Sequence, residues 1–415
     1  MTRSAAEPTG PLAGVRVVDL TTILLGPYAT QMLGDLGAEV IKVESPAGDG
    51  IRNVGPPPAN GMGSVFMGCN RNKRGLVLDL KQPAGMDAMW RLIESSQVFL
   101  HNMRPQAIDR LGLDYESVHD HNPGIVYCAT YGFRREGPYG HKPAYDDMIQ
   151  AASGLAALQA VEGRPRYATS VIADKTTALV ACNSVLAALF HRERTGEGQR
   201  VEVPMFETMV GFNMAEHLYG HSYSPSRGEA GYPRAMAADR RPYETRDGWI
   251  GALPYSDHQW RALLEVAGRT DLMEDPRFAS MAARLAHIDE VYAELAELLK
   301  TKTSAEWLDA LDKANVPSMP VNDPNELLED PHLRATGFWQ EIDDDELGTL
   351  RLPGLGPRFS GSPSSIRRLA PRLGEHSAEV LGELGFSEAE IESMFEQGVT
   401  RSVVPGGGEP RAADS

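Results

Sequence analysis

The sequence predicts an α/β protein whose mainly parallel sheet carries helices on both faces. Short runs rich in Val, Ile and Leu, such as VRVVDL at 15–20 and AEVIKVE at 38–44, read as buried strands. Longer amphipathic segments separate them, and strands alternating with helices imply parallel connections. After about residue 220 the character of the chain changes, which points to a second, smaller domain.

Taken in order, VRVVDL is the first strand, GPYATQMLGDLG (26–37) a short helix opened by Gly-Pro, and AEVIKVE the strand that completes a βαβ unit. The pattern returns in RGLVLDL (74–80), AGMDAMWRLIESS (84–96), QVFLHN (97–102) and GIVYCATYGF (124–133). A long helix covers about 175–194, with Ala178, Leu179, Cys182, Val185, Leu186, Leu189 and Phe190 at near-helical spacing and the turn residues TGEGQ at its end. RVEVPMFETM supplies one more strand and helix. The stretch SYSPSRGEAGYPRAMAADRRPYETRDG has no periodicity and reads as a long connection. WIGAL and helices such as HQWRALLEVAG and IDEVYAELAELLK then form a small α+β domain, and SAEVLGELG with SEAEIESMFEQG is a closing helix pair. This organisation assigns 1–220 and 336–402 to a Rossmann-like large domain, 221–335 to a linker and small domain, and 403–415 to a disordered tail.

A chain of 415 residues that is 42% hydrophobic and 23% charged is an ordinary globular sequence with room for more than one core. The formal charge of −17 repels polyphosphates, so no nucleic-acid or anionic membrane partner is expected. An anionic ligand must therefore find a local basic pocket. Cys69, Cys128 and Cys182 lie far apart without CxxC spacing, which argues against a disulfide framework or a zinc site and suits a reducing cytoplasm. The N-terminus lacks an apolar signal region, and no membrane span is expected from the hydropathy pattern.

Several chemistries lose their usual sequence support. LTTILLGPYA, at the first strand-to-helix junction, lacks G-x-G-x-x-G, and no Walker A sequence is present. The 11 histidines form no H-E-x-x-H, so no metal is expected, and GMGSVFMG misses the G-x-S-x-G of a serine hydrolase. What remains is a set of cations, Lys73, Arg74, Lys81, Arg104 and Arg110, around two strands of the first half. Such a group can hold phosphates, and it can equally be solvated surface. The other singular feature is Asp174 in SVIADKTTAL, an acid at the mouth of the long apolar helix. An N-cap explains it, and so does a nucleophile.

The segments GPLAGVRVVDLTTILLGPYATQMLGDLGAEVIKVESPAGDGIR, NKRGLVLDLK, HNMRPQAIDRLG, PAYDDMIQAASG, IADKTTALVACNSVLAALFHRERTGEGQRVEV and LGEHSAEVLGELGFSEAEI occur in this order over nearly the whole chain. Together they resemble the family III CoA-transferases, which include formyl-CoA and carnitine CoA-transferases. The resemblance implies that Asp174, just before the helix ending in TGEGQ, is the catalytic nucleophile. It also implies an interlocked homodimer and a reaction between an acyl-CoA and a free carboxylic acid, with coenzyme A as substrate and no permanently bound cofactor. Lys81, Asn102, Arg104 and Arg110 match positions that contact the nucleotide end of CoA in relatives. Leu24 and Leu78 match positions against the adenine or pantetheine, and Tyr145 with Asp146 falls near the thioester.

The chain departs from formyl-CoA transferases in carrying Leu24 where they have Gln, and in lacking their glycine run, so formyl and oxalate specificity is not expected. Arg234, Arg240 and Arg241 could receive a second carboxylate of a dicarboxylic acid such as succinate. Two other functions compete. An α-methylacyl-CoA racemase shares the fold, but it carries a histidine where this chain has Tyr145, a poor base near neutral pH, with His141 four residues away. A CoA-binding protein without catalysis is the other.

Overall fold

The computed structural model describes residues 9–56 and 61–402, so the expected disordered tail at 403–415 lies outside the described residues. Two units are present. One joins the described residues up to Phe212 to those from Gly337 onward, and the other is Asn213–Thr336. The chain leaves the first unit inside a helix, several residues before the composition change near 220.

In the first unit the order is β1 (Arg16–Leu20), α1 (Leu25–Asp35), β2 (Glu39–Glu44), α2 (Ser64–Asn70), β3 (Lys73–Val77), α3 (Pro83–Glu94) and β4 (Val98–His101). It continues through α4 (Pro105–Leu111), α5 (Tyr115–His121), β5 (Val126–Tyr131), α6 (Asp146–Ala152), α7 (Leu155–Leu158), α8 (Ile172–Thr195), β6 (Gln199–Pro204) and α9 (Met205–His217). The six strands form one parallel sheet in the order β3-β2-β1-β4-β5-β6. Successive residues of a strand point to opposite faces, and the core divides accordingly. Val17, Val40, Val98 and Val126 pack with Ala29 and Leu33 of α1 and Ala178, Ala181 and Val185 of α8. Val18, Ile41, Phe99 and Tyr127 face the other way, onto Met89 and Leu92 of α3 and onto Val380 and Leu381.

The last two residues belong to the helix Ser377–Glu383, which with Glu388–Glu396 returns to this unit. The return also covers the open edge of β3. The Val77 amide donates to Ser377 Oγ at 3.1 Å, the Thr400 hydroxyl donates to the Val77 carbonyl at 2.7 Å, and the Asp79 amide donates to the Val399 carbonyl at 2.7 Å. An edge strand is thereby given partners from the far end of the sequence.

α8 is long and apolar enough to cross a membrane by length and composition, with mean hydropathy 1.3. Half of that stretch is buried within the unit, where Ala178, Ala181 and Val185 sit in the core beneath the sheet. Small side chains there let the helix lie close to α1.

The second unit has a three-stranded antiparallel sheet of Tyr243–Glu244, Trp249–Ala252 and Ser318–Pro320. Sequence reading expected a single strand here; the other two are two and three residues long, too short to show a period. Helices Asp257–Ala267 and Ser304–Lys313 each begin with a capping box, Ser256 with Gln259 and Thr303 with Glu306, and bury Trp260 and Trp307. Within the stretch read as a long connection lie a short helix, Pro233–Met236, and the strand Tyr243–Glu244.

Candidate active site at the carboxyl edge of the sheet

In a sheet of order 3-2-1-4-5-6 the chain leaves β1 and β4 in opposite directions, opening a crevice at their carboxyl ends where ligands of doubly wound folds bind. Here Asn102 spans that crevice. Its side-chain oxygen accepts from the Thr22 amide at 2.9 Å and its side-chain nitrogen donates to the Thr22 carbonyl at 2.7 Å. The next residue, Ile23, has φ +70 and is 43% exposed. A β-branched residue in the left-handed region is strained. Its amide donates to the Asp49 carboxylate at 3.1 and 3.2 Å, which holds the turn in place.

Beneath the turn lies a buried ionic network. Lys42 reaches the Thr21 carbonyl at 2.9 Å and Asp49 at 3.1 Å, and Lys73 reaches Asp19 at 2.8 Å, with all four charged side chains sealed from solvent. Burial alone would raise the Asp19 carboxyl and lower the Lys42 ammonium. The cations Lys73 and Lys42 hold Asp19 below the usual carboxylate range, while Asp19, Glu44 and Asp49 leave Lys42 raised. Thr30 of α1 also donates to Asp19, at 2.7 Å, and Lys73 to the Pro27 carbonyl at 2.9 Å, tying the start of α1 to the end of β1. Gly26 is required at this junction, because a Cβ there would fall 2.4 Å from Thr21 Cβ.

The first turns of α1 and α8 meet at this edge, since Leu25 and Ala173 share one buried cluster with Ile149 of α6. Asp174 follows Ala173 and is the third residue of α8, so it is not the N-cap. The capping role is filled from outside the helix: the Asp174 amide donates to the Asp146 carboxylate at 3.0 Å. Asp146 is buried and fixed by Gln150, whose amide group donates to it at 2.6 Å. The side-chain oxygen of Gln150 accepts from the Ala168 amide at 2.9 Å, anchoring the approach to α8.

Among the described residues no hydrogen bond or ion pair holds the Asp174 carboxyl. Burial, with a smaller contribution from the neighbouring Asp146 charge, pushes it up to about 7. Two of the first three amides of α8 are engaged, Ile172 with the Ser170 carbonyl at 2.7 Å and Asp174 with Asp146, which leaves fewer amides at this helix start to hold an anion.

The expected ligand residues separate into groups. Leu24, Lys81, Asn102 and Arg104 follow the carboxyl ends of β1, β3 and β4 on the same edge of the sheet. Lys81 and Arg104 are exposed, and Leu24 is half-buried against the cluster of Ile51, Met62 and Phe66. Arg110, in the last turn of α4, is exposed and donates to the Gln106 carbonyl at 3.0 Å. Tyr145 is 66% exposed immediately before Asp146. Leu78 is 1% exposed and packs in the core, which leaves its side chain no free surface for a ligand. Lys73 and Arg74, grouped above with possible phosphate ligands, are consumed by carboxylates: Lys73 by Asp19, and Arg74 by Glu39, Glu379 and Glu383.

The three loop arginines part company as well. Arg241 pairs with Asp239 at 2.8 Å, Arg240 is exposed, and Arg234 donates to the Tyr292 hydroxyl at 3.0 Å. Sequence reading missed Ile23, Lys42 and Asp49. Lys42 lies inside a strand pattern and Asp49 inside a turn, and neither position announces that the fold buries it.

The family profile of CoA-transferase family III matches residues 12–377. The chain belongs to that family. As a family III CoA-transferase it is an enzyme that uses CoA thioesters as substrates. It is 33% identical over 395 residues to the succinyl-CoA–L-malate CoA-transferase beta subunit of Chloroflexus aurantiacus, covering 93% of this chain and 97% of that one. It is 34% identical over 395 residues to the succinate–glutarate CoA-transferase of Agrobacterium fabrum, covering 90% and 96%. A solved CaiB/BaiF family protein from Brucella suis superposes with TM-score 0.76 at 33% identity, over 91% of this chain and 100% of that one.

In this CoA-transferase the clamp of Asn102 on Thr22 invites a direct test. Asn102→Ala removes both hydrogen bonds and frees the strained Ile23 turn. The expected result is a rise in KM for acyl-CoA of roughly tenfold with kcat changed far less, about the worth of one or two hydrogen bonds. Steady-state kinetics with varied donor reads it, and an unchanged KM would remove the crevice from the binding site.

Proposed function

We propose that the enzyme transfers CoA from an acyl-CoA to a free carboxylic acid through covalent intermediates on Asp174. The observation that carries this reading is a partly buried carboxyl in the first turn of α8, relieved of capping by Asp146 and without a partner of its own among the described residues. A carboxylate held beside a thioester attacks at an effective concentration that water cannot match. In the first step an Asp174 oxygen bonds to the thioester carbonyl carbon, the C–S bond breaks, and CoA leaves as thiolate. The thiolate then attacks the Asp174 carbonyl of the mixed anhydride, which forms an aspartyl-CoA thioester and releases the donor acid as its carboxylate. The acceptor carboxylate attacks that thioester, again expelling thiolate, and the thiolate takes the acceptor acyl group and restores Asp174. Each bond made is matched by one broken, and no net proton is consumed.

The nucleotide end of CoA lies in the crevice at Asn102, with Lys81, Arg104 and Arg110 on its phosphates and Leu24 beside the thiol arm. Tyr145 stands next to the thioester. The acceptor is a dicarboxylic acid. Relatives whose names pair succinyl-CoA with malate and succinate with glutarate support this choice. The working form is an interlocked homodimer. Leu179, Val180 and Phe190 of α8 and Phe212 of α9 expose apolar surface, as a subunit interface requires. Three free, buried cysteines suit a cytoplasmic enzyme.

The test is transfer itself: radiolabelled succinate, glutarate or malate offered with succinyl-CoA is expected to become a labelled thioester at a rate that depends on both substrates. Hydrolysis without transfer to any acid would contradict the reading. The elevated Asp174 carboxyl favours one alternative, since an acid near neutrality is suited to moving an α-proton. An α-methylacyl-CoA incubated with the enzyme in deuterium oxide decides it. The transferase reading expects no deuterium at the α-carbon.

Because only ionised Asp174 attacks, kcat/KM for the donor is expected to rise with pH through an apparent pKa near 7 and then level off. Asp146→Asn keeps an oxygen to accept the Asp174 amide and removes the adjacent charge. The rise is expected to move to lower pH in that variant, and a profile that stays in place would show that the Asp146 charge does not act on Asp174.

A further inference from the structure

The unit Asn213–Thr336 has a cleft of its own, lined by buried Trp260, Tyr292 and Arg284 and by half-buried Arg234. The two guanidinium groups differ. Arg284 is committed, donating to the Phe278 carbonyl at 2.8 Å and to the Asp257 carboxylate, with its guanidinium 5.6 Å from the Trp260 ring centre. Arg234 donates through Nε to the Tyr292 hydroxyl at 3.0 Å, has the Tyr232 hydroxyl beside it, and sits 5.4 Å from the Tyr255 ring centre. Among the described residues no carboxylate pairs with it. A guanidinium fixed through Nε and lying within cation–π range of an aromatic ring keeps terminal nitrogens that can meet a carboxylate as a fork.

The cleft encloses about 40 Å³. At about 10–15 Å³ for each water-sized group, this is room for roughly three such groups, the size of one carboxylate. Its outer lining is apolar and open to solvent, with Tyr255 55%, Met281 41% and Leu285 37% exposed. We propose that this cleft is a carboxylate-binding site, in which Arg234 takes the carboxylate of a small organic acid whose apolar body lies over Tyr255, Met281 and Leu285. The site does not depend on the nucleophile assigned to Asp174.

The experiment is calorimetric titration of the full-length chain with acetate, butyrate, benzoate and the neutral benzamide, in the native protein and in Asp174→Asn, Arg234→Met and Arg234→Lys. Affinity is expected to rise from acetate to butyrate to benzoate, and benzamide to bind far more weakly. Arg234→Met is expected to lose benzoate affinity by roughly ten- to a hundredfold, the range for a hydrogen-bonded charge. Arg234→Lys keeps the charge without the fork and is expected to fall several-fold, which decides the matter if the methionine variant does not fold. Unchanged affinity in Arg234→Lys and Arg234→Met, or benzamide binding as tightly as benzoate, overturns the proposal. Benzoate binding lost in Asp174→Asn but kept in Arg234→Met would place the acid at the catalytic carboxyl, so that the cleft proposal falls and the transferase reading stands. Binding that depends on Arg234 in a protein that forms no adduct at Asp174 would have the opposite meaning.

Discussion

Asp174→Asn is expected to lower the transfer rate by at least about a thousandfold while CoA binding changes only a few-fold, because the proposed covalent route loses its attacking oxygen while the side chain keeps its shape. The backbone consequence is small, since the Asp174 amide still donates to Asp146 and the side chain itself caps nothing. The effect on stability has a sign of its own. Asp174 has an ordinary carboxylate value near 3.8 when unfolded and about 7 in the fold, so the folded state holds its proton more tightly. The stabilisation from that bound proton is complete below pH 4 and is lost as the pH rises through 7. Asparagine has no proton to lose there. At pH 8 the variant is therefore expected to melt at or above the temperature of the native enzyme, and inactive yet equally stable protein is the signature of a residue kept for chemistry. A variant that melts well below the native enzyme at pH 8, or one that retains transfer, would make Asp174 a structural residue.

The second large effect is on stability. Lys73→Met leaves Asp19 buried with its nearest cation gone, and breaking a buried ion pair from one side costs about 3–5 kcal/mol. Lys42 and the hydroxyls of Thr21 and Thr30 remain near Asp19, so the loss is expected toward the lower end of that range. Urea denaturation followed by fluorescence measures it. Changing Asp19→Asn together with Lys73→Met removes the orphaned charge and is expected to recover part of the loss. A shift below about 1 kcal/mol for Lys73→Met, the worth of an exposed pair, would mean that the network is not sealed from solvent. The same variant frees Pro27 and the end of β1, so KM for the CoA donor is expected to rise with it.

The sheet was legible because most of its strands are buried on both faces and read as short continuous apolar runs, set apart by longer amphipathic segments such as α3. Val17 and Val18 going to opposite sides of one sheet follow directly from that pattern. The C-terminal return was visible as a helix pair, but its pairing with Val77 involves residues 300 and 323 positions away, a distance over which no local signal carries. At the site, Asp174 stood out as an acid at the mouth of an apolar helix. Its escape from capping did not, because that depends on Asp146, 28 residues earlier. The same limit explains Lys73 and Leu78. A lysine in a strand reads as surface, and only the position of Asp19 two strands away in the sheet makes it core, while a leucine just past a strand end looks available until the fold buries it in one cluster with Met89 and Leu92.

Intact-mass measurement of the enzyme after incubation with succinyl-CoA, followed by borohydride or hydroxylamine trapping and peptide mapping, tests the covalent pathway most directly. A donor-dependent adduct, or its reduction or cleavage product, is expected on the peptide that contains Asp174 and on no other. Turnover without any modification of Asp174, or a modification carried by a different residue, would contradict it.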